Sequence, residues 1–81
     1  MLTLDDLREF MRTCGVEDGI DLDADIHDTE FADLGYDSLA RLQIAAVIQD
    51  KTDVALPDDV VMELETPRAV LDFVNARVGV A

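Results

Sequence analysis

The chain has 81 residues, a length that supports one compact domain with a modest core, and we assign residues 1–81 to that domain. Its 19 acidic and 6 basic residues give a formal charge of -13, which disfavours nucleic-acid binding and favours contact with basic protein surfaces. The only cysteine, Cys14, can form no intramolecular disulfide or multi-cysteine metal site. The sequence shows no leader and no apolar run of membrane-spanning length, so we expect a cytoplasmic protein that does not associate with membranes.

The first predicted element is an amphipathic helix over about residues 3–14. Thr3 followed by Asp6 is typical of a helix start, and Gly15 is a natural stop. We interpret Cys14 as a small buried hydrophobe, because the only histidine that could activate it, His27, lies in a loop-like stretch. The apolar positions of this helix recur at helical spacing and are Leu4, Leu7, Phe10, Met11 and Cys14.

A long polar connection follows over residues 15–36. Such a length usually marks a wrapping or functional loop. We expect a short helical turn over about residues 29–34, ended by Gly35. The side chains that can anchor this connection to the core are Ile20, Leu22, Ile26, Phe31 and Leu34.

The second helix is predicted to begin at Asp37, a good N-cap, and to run to about Asp50. Its apolar residues cover most of the circumference, and such a helix needs more than one packing partner. One side can face the core, and another can meet protein partners or cargo. The projection places Leu39, Leu42, Ala45 and Ala46 on one side and Ile44, Val47 and Ile48 on the other.

Two further helices complete the predicted fold. Pro57 suits the opening of a short helix that continues through residues 60–64. Thr66 and Pro67 are a stronger start signal, and Gly79 ends the helix that follows. Its apolar stripe consists of Val70, Leu71, Val74 and Val78. The chain is therefore predicted to be an all-α four-helix bundle, with three main helices, one short helix and a long first loop.

Ser38 is the only serine, and it stands at the start of the second helix directly after a glycine-containing turn. Asp37 already supplies the better cap one position earlier, so Ser38 has no necessary structural duty. An anion on its hydroxyl would lie near free backbone N–H groups and the positive end of the helix dipole. The neighbouring Asp37 opposes that anion by like charge, which fits a second role for Asp37 in engaging the metal or basic surface of a modifying enzyme.

The run DLGYDSLA at residues 33–40 is similar to the phosphopantetheine-attachment motif of acyl carrier proteins. The LPDDV run at 56–60 and the TPR run at 66–68 followed by LDFVN extend the likeness. In its GYDSL form and its TPR helix start, the chain resembles the discrete carrier proteins of aromatic, type II polyketide synthases.

The resemblance implies a non-catalytic monomeric carrier with a covalent 4'-phosphopantetheine arm, derived from coenzyme A, on Ser38. That arm would hold malonyl units and the growing polyketide as thioesters. Asp37 and Leu39 match the family's recognition surface. The implied partners are a phosphopantetheinyl transferase, the ketosynthase and chain-length factor, a malonyl transferase, a ketoreductase and cyclases. Arg68 and Asn75 match positions near the polyketide cleft of the family, and they are candidate substrate-binding residues or plain surface residues.

The sequence departs from the family pattern at Arg41 and Gln43, where related carriers usually show an apolar residue and an acid. The partner face is therefore expected to be less acidic than usual, which can indicate a distinct cognate ketosynthase.

Parts of the sequence are also compatible with other functions. A carrier of fatty acids, amino acids or other acyl groups remains open, as does an acidic interaction module without a prosthetic group. The acidic run at residues 21–25 resembles the start of a calcium loop, but Ile26 and Ala32 replace the required glycine and glutamate, and no metal site is predicted. Ser38 lacks the sequence context of a hydrolase nucleophile, so no catalytic residue is predicted.

Overall fold

The computed structural model describes residues 2–78, with the side chain of Val78 left out. Within that range the backbone forms four α-helices and no strand, which confirms the all-α prediction. The helices are α1 (Leu4–Cys14), α2 (Ser38–Thr52), α3 (Asp58–Glu63) and α4 (Pro67–Val78), and a 3-10 turn spans Phe31–Leu34. The predicted stop at Gly79 and the predicted inward position of the Val78 side chain lie outside the described residues.

Helix α1 begins as its sequence predicts. The Thr3 hydroxyl accepts a hydrogen bond from the Asp6 amide, and the Asp6 carboxylate accepts one from the Thr3 amide, both at 3.1 Å. This reciprocal capping box satisfies two amides that have no partner inside the helix. The helix buries Leu7 and Met11 against the core.

Cys14, at the end of α1, was predicted to be buried, but it is only half-buried. It lies in the last turn, where the chain leaves the core for the connection. Burial nevertheless raises the pKa of the thiol, which favours the neutral form over the reactive thiolate.

The long connection between α1 and α2 is attached to the bundle by apolar and polar contacts. Four of its five predicted anchors are buried, and Ile20 is half-buried. The Arg8 guanidinium donates to the carbonyl oxygens of Leu22 and Ala24, and Arg12 pairs with Asp23. The connection therefore wraps the core instead of projecting from it.

Helix α2 lies between two neighbours, because it packs against both α1 and α3. Its core side chains are Ile44, Ala45 and Ile48, so the predicted division of its apolar residues into two sides is wrong. The helix also runs two residues past the predicted end at Asp50. Asp53, with a φ of 60°, adopts the left-handed conformation that ends it.

Tyr36 ties the segment before α2 to α1. Its ring is buried edge-to-face against Phe31, with 6.5 Å between the centroids, and its hydroxyl donates to the Met11 carbonyl oxygen at 3.2 Å. Met11 is in the last turn of α1, where carbonyl groups have no helical partner. The bond thus satisfies the end of one helix from the approach to the next.

Helix α4 is joined to the long connection at its first turn. Pro67 is buried, and the Thr66 hydroxyl accepts from the Ala69 amide at 3.2 Å, which confirms the predicted start. The Arg68 guanidinium donates to both carboxylate oxygens of Asp28, at 2.7 and 3.2 Å. That bond lowers the pKa of Asp28. The predicted stripe is confirmed at its described members, since Val70, Leu71 and Val74 are buried.

We expect Tyr36→Phe to lower the free energy of unfolding by about 1 kcal/mol, because it leaves the Met11 carbonyl without its buried donor. Urea denaturation measures the change. Thr13→Val is the matched control: it removes an exposed hydroxyl from the same end of α1, and it should shift stability by less than about 0.5 kcal/mol. Equal stability of Tyr36→Phe and the wild type would contradict a stabilising role for the bond.

The Arg68–Asp28 pair predicts a pH-dependent difference between wild type and Arg68→Gln. The pKa of Asp28 is lower in the folded state than in the unfolded state. The pair therefore contributes its full stabilisation above the ordinary carboxyl pKa of about 3.9. That stabilisation is lost as the pH falls through the lower pKa that Asp28 has in the folded state. Urea midpoints should therefore differ at pH 7 and converge in acid.

The same comparison in an Asp28→Asn background should show little change over that pH range. A difference that persists with Asp28 removed would assign the effect of Arg68 to another contact.

Candidate functional site

Ser38 is the first residue of α2, and its side chain is exposed. The turn before it depends on Gly35, which has a φ of 86° and donates its amide to the carbonyls of Ala32 and Phe31. Glycine therefore provides the left-handed conformation that brings the chain into α2 at this point.

Asp37 caps α2 as predicted. Its carboxylate accepts from the Ala40 amide at 2.9 Å, and its carbonyl accepts from the Arg41 amide at 2.9 Å. Among the hydrogen bonds of residues 2–78, none uses the Ser38 hydroxyl. The hydroxyl is thus available for chemistry, at a helix end whose dipole favours a bound anion.

Leu39 extends this site as an apolar surface residue. Its exposed fraction is 64%, the larger of the two exposed large hydrophobic side chains in the described part of the chain. Asp37 and Ser38 are exposed beside it. Three of the predicted site residues, an acid, a hydroxyl and an apolar side chain, are therefore exposed in succession at the start of α2.

Arg41 does not lie openly on that surface, which corrects our expectation for the partner face. The residue is half-buried, and its Nη2 donates to the carbonyls of Val61 at 2.9 Å, Met62 at 3.2 Å and Leu64 at 3.3 Å. The reason is the C-terminal end of α3, where the last carbonyl oxygens form the negative end of the helix dipole and attract a cation, although that of Val61 also accepts from the Leu64 amide at 3.2 Å. Gln43, in contrast, is exposed as expected.

An apolar cleft opens between α2, α3 and α4. The empty space in and around it amounts to about 290 Å³ when the open solvent at its mouth is counted. Arg41 is its only polar lining residue, and the other lining residues are Phe31, Ile44, Ala45, Ile48, Leu56, Val61, Leu64 and Val70. The lining of the cleft is therefore apolar, with one cation that a polar group could contact.

Arg68 and Asn75 are placed apart from this cleft, and neither lines it. Arg68 pairs with Asp28. The Asn75 amide forms two bonds with the main chain of Leu2, accepting from its N–H at 2.7 Å and donating to its carbonyl at 2.8 Å. Their roles in substrate binding stay predictions.

The contribution of Arg41 to the cleft was not predicted from the sequence. One signal could have found it: Arg41, Ala45 and Ile48 follow each other at helical spacing, and two of them are core residues of α2. A guanidinium on the same helix face as these core residues must either extend to solvent or find hydrogen-bond acceptors within the fold.

No group of three or more histidine, cysteine, aspartate or glutamate side chains in residues 2–78 is arranged to hold a metal ion. No helix in that range is both long and apolar enough to cross a membrane.

Comparison with known proteins places these features in a family. The family model described as "Phosphopantetheine attachment site" matches residues 7–74. The actinorhodin polyketide synthase acyl carrier protein of Streptomyces coelicolor is 44% identical over 82 residues, covering 100% of this chain and 95% of the relative. The granaticin polyketide synthase acyl carrier protein of Streptomyces violaceoruber is 49% identical over 75 residues, covering 91% of this chain and 88% of the relative.

Solved structures agree with the sequence relatives. The actinorhodin apo acyl carrier protein of S. coelicolor superimposes with a TM-score of 0.86 at 43% identity, covering 100% of this chain and 95% of that one. The same protein carrying a 3,5-dioxohexyl triketide mimic gives a TM-score of 0.85 at 43% identity, with the same coverage. The chain thus belongs to the phosphopantetheine-attachment family and, within it, to the acyl carrier proteins of type II polyketide synthases.

Proposed function

We propose that Ser38 is the residue that carries the 4'-phosphopantetheine arm of this carrier. The observation that supports the proposal most directly is the exposed, unengaged hydroxyl at the N-terminal end of α2, beside a cap that Asp37 already provides. A phosphodiester on Ser38 would meet the first amides of α2, which have no acceptor inside the helix. The residues present therefore fit the group.

The chain's own residues have defined tasks around that arm. When bound, the group supplies a thiol that holds acyl chains as thioesters. The dipole of α2 favours the phosphodiester, and Leu39 offers an apolar contact to the enzymes that the carrier visits. Asp37 and the charge of -13 attract basic surfaces on those enzymes and speed encounter.

The proposed cargo is malonyl units and the growing polyketide chain. The related actinorhodin carrier has been solved with 3-oxobutyl and 3,5-dioxohexyl groups, which are mimics of such intermediates. The cleft between α2, α3 and α4 is apolar except for one cation, a lining whose chemistry suits a short chain of this kind. Arg68 and Asn75 are kept as proposed cargo contacts, which would require them to exchange their present partners for keto groups.

The proposed partners are a phosphopantetheinyl transferase, the ketosynthase and chain-length factor, a malonyl transferase, a ketoreductase and cyclases, in the cytoplasm. The phosphopantetheinyl transferase would install the arm and the malonyl transferase would load it. The other partners would act on the cargo that the carrier presents, so the carrier supplies delivery and the partners supply catalysis. A flexible tether raises the effective concentration of cargo in each partner's active site.

Attachment at Ser38 is tested by incubating the purified apo-protein with coenzyme A and a broad-range phosphopantetheinyl transferase. Intact mass spectrometry should show the addition of one phosphopantetheine unit. Ser38→Ala should show none, whereas Thr13→Ala, which removes another exposed hydroxyl, should be modified completely. An adduct that survives Ser38→Ala would overturn the assignment.

Leu39→Ala should slow transfer by the same enzyme about tenfold in kcat/KM, since it removes an apolar contact of about 1–2 kcal/mol from the recognition surface. Stability should hardly change because the side chain is 64% exposed. Val16→Ala is the matched control, because Val16 is exposed and apolar but distant in sequence from Ser38, and its rate should equal that of the wild type. Equal loss in both variants would argue against a specific role for Leu39.

A further inference from the structure

The Arg41 guanidinium is only partly used by the contacts that hold it. Its Nη2 reaches the three carbonyls at the end of α3, but its Nε is buried and has no hydrogen-bond partner. A guanidinium has five N–H donors in a fixed fork, and a buried donor of a charged group is unfavourable when it has no acceptor. Arg41 therefore retains a buried donor that an incoming acceptor can satisfy.

The place of Arg41 in the fold indicates where such an acceptor would come from. The residue lines the apolar cleft on one side and a second, polar hollow on the other, where Glu30 and Glu65 are its neighbours. Both acidic side chains line only the polar hollow. Arg41 is consequently the only group in the lining of the apolar cleft that can donate a strong hydrogen bond.

Arg41 is also close to the proposed attachment point. Ser38 and Arg41 are three residues apart in α2, which places them on the same face of the helix, about one turn from each other. The cleft that Arg41 lines therefore begins about one turn of α2 from the proposed attachment point, where an arm on Ser38 can fold back toward it.

We propose that Arg41 determines the cargo specificity of the cleft by donating its buried Nε–H to a carbonyl oxygen of a β-keto acyl chain. The inference rests on the proposed function of Ser38 and adds to it the residue that recognises the keto groups of the cargo. A saturated chain of equal length leaves the donor unsatisfied and meets a cation in an otherwise apolar space. The cleft thus selects oxygenated chains over saturated ones.

The test compares two arms of equal length, 3,5-dioxohexyl and hexyl, each loaded enzymatically onto the ¹⁵N-labelled protein as a pantetheine analogue. The Arg41 Nε–Hε resonance, assigned by its loss in Arg41→Lys, is then followed by NMR. We expect the dioxohexyl arm to shift this resonance and to slow its exchange with solvent about tenfold, equivalent to about 1.4 kcal/mol. The hexyl arm should leave it as in the unloaded protein.

Arg77 provides an internal reference, because its guanidinium lies over the Phe73 ring on the exposed side of α4 and should respond to neither arm. An Arg41 resonance that responds equally to both arms, or to neither, would overturn the inference. Failure of Ser38 to accept any arm is detected beforehand by intact mass, and it would overturn the proposed function instead.

A second variant tests the same idea from the cargo side. Arg41→Leu makes the cleft wholly apolar, so contacts between the arm and the Val61 and Ile48 methyl groups should strengthen for hexyl and weaken for dioxohexyl. Gln43→Leu is the matched control, since Gln43 is exposed, and it should leave both arms unchanged. The proposal would be contradicted if the relative strength of the hexyl and dioxohexyl contacts were the same in wild type and Arg41→Leu. If Arg41→Leu is too unstable to study, the comparison of the two arms on the wild-type protein still tests the proposal.

Discussion

The cap that Asp37 forms on α2 fixes the geometry on which the site depends. Its carboxylate holds the Ala40 amide, and this bond sets where the helix starts. The two neighbours of Asp37 differ in exposure, because Tyr36 is buried against the core and Ser38 is exposed to solvent. A helix that began one residue later would turn the hydroxyl by about 100° around the axis and away from this position.

The surroundings of that cap are unusually well supported for a loop. The left-handed Gly35, the buried ring of Tyr36 and the bond from Tyr36 to α1 all act on the three residues before Ser38. A carrier must present its reactive position to several enzymes in turn, and loops that carry function are positioned by rigid scaffolds. The buried anchors of the long connection provide that scaffold, while acidic side chains occupy its solvent side.

Local signals in the sequence predicted the helix starts well, because those starts depend on contacts across three residues. The Thr3 box, the Asp37 cap and the Thr66 cap are all of this kind. Contacts between distant elements were not predictable in the same way. The inward turn of Arg41 depends on where α3 ends, about twenty residues later in the chain, and no local rule contains that information.

The two faces of α2 illustrate the same limit. Periodicity indicated a helix that is apolar on many sides, but the division into core and surface is set by the positions of α1 and α3. Leu39 and Ala46 are exposed for that reason, although their side of the projection also holds the buried Ala45. The end of α2 was predicted two residues early because a left-handed aspartate, Asp53, is a weaker signal than glycine.

The bonds between Asn75 and Leu2 join positions 73 residues apart, the widest separation among the described side-chain hydrogen bonds. Contacts that close so long a stretch of chain carry a high entropy of closure and depend on the elements between them being in place. These two hydrogen bonds are therefore expected to form only once the helices of the bundle have packed together. Protection of the Leu2 amide from hydrogen exchange would accordingly report on the integrity of the whole bundle, although it belongs to a residue before the first helix.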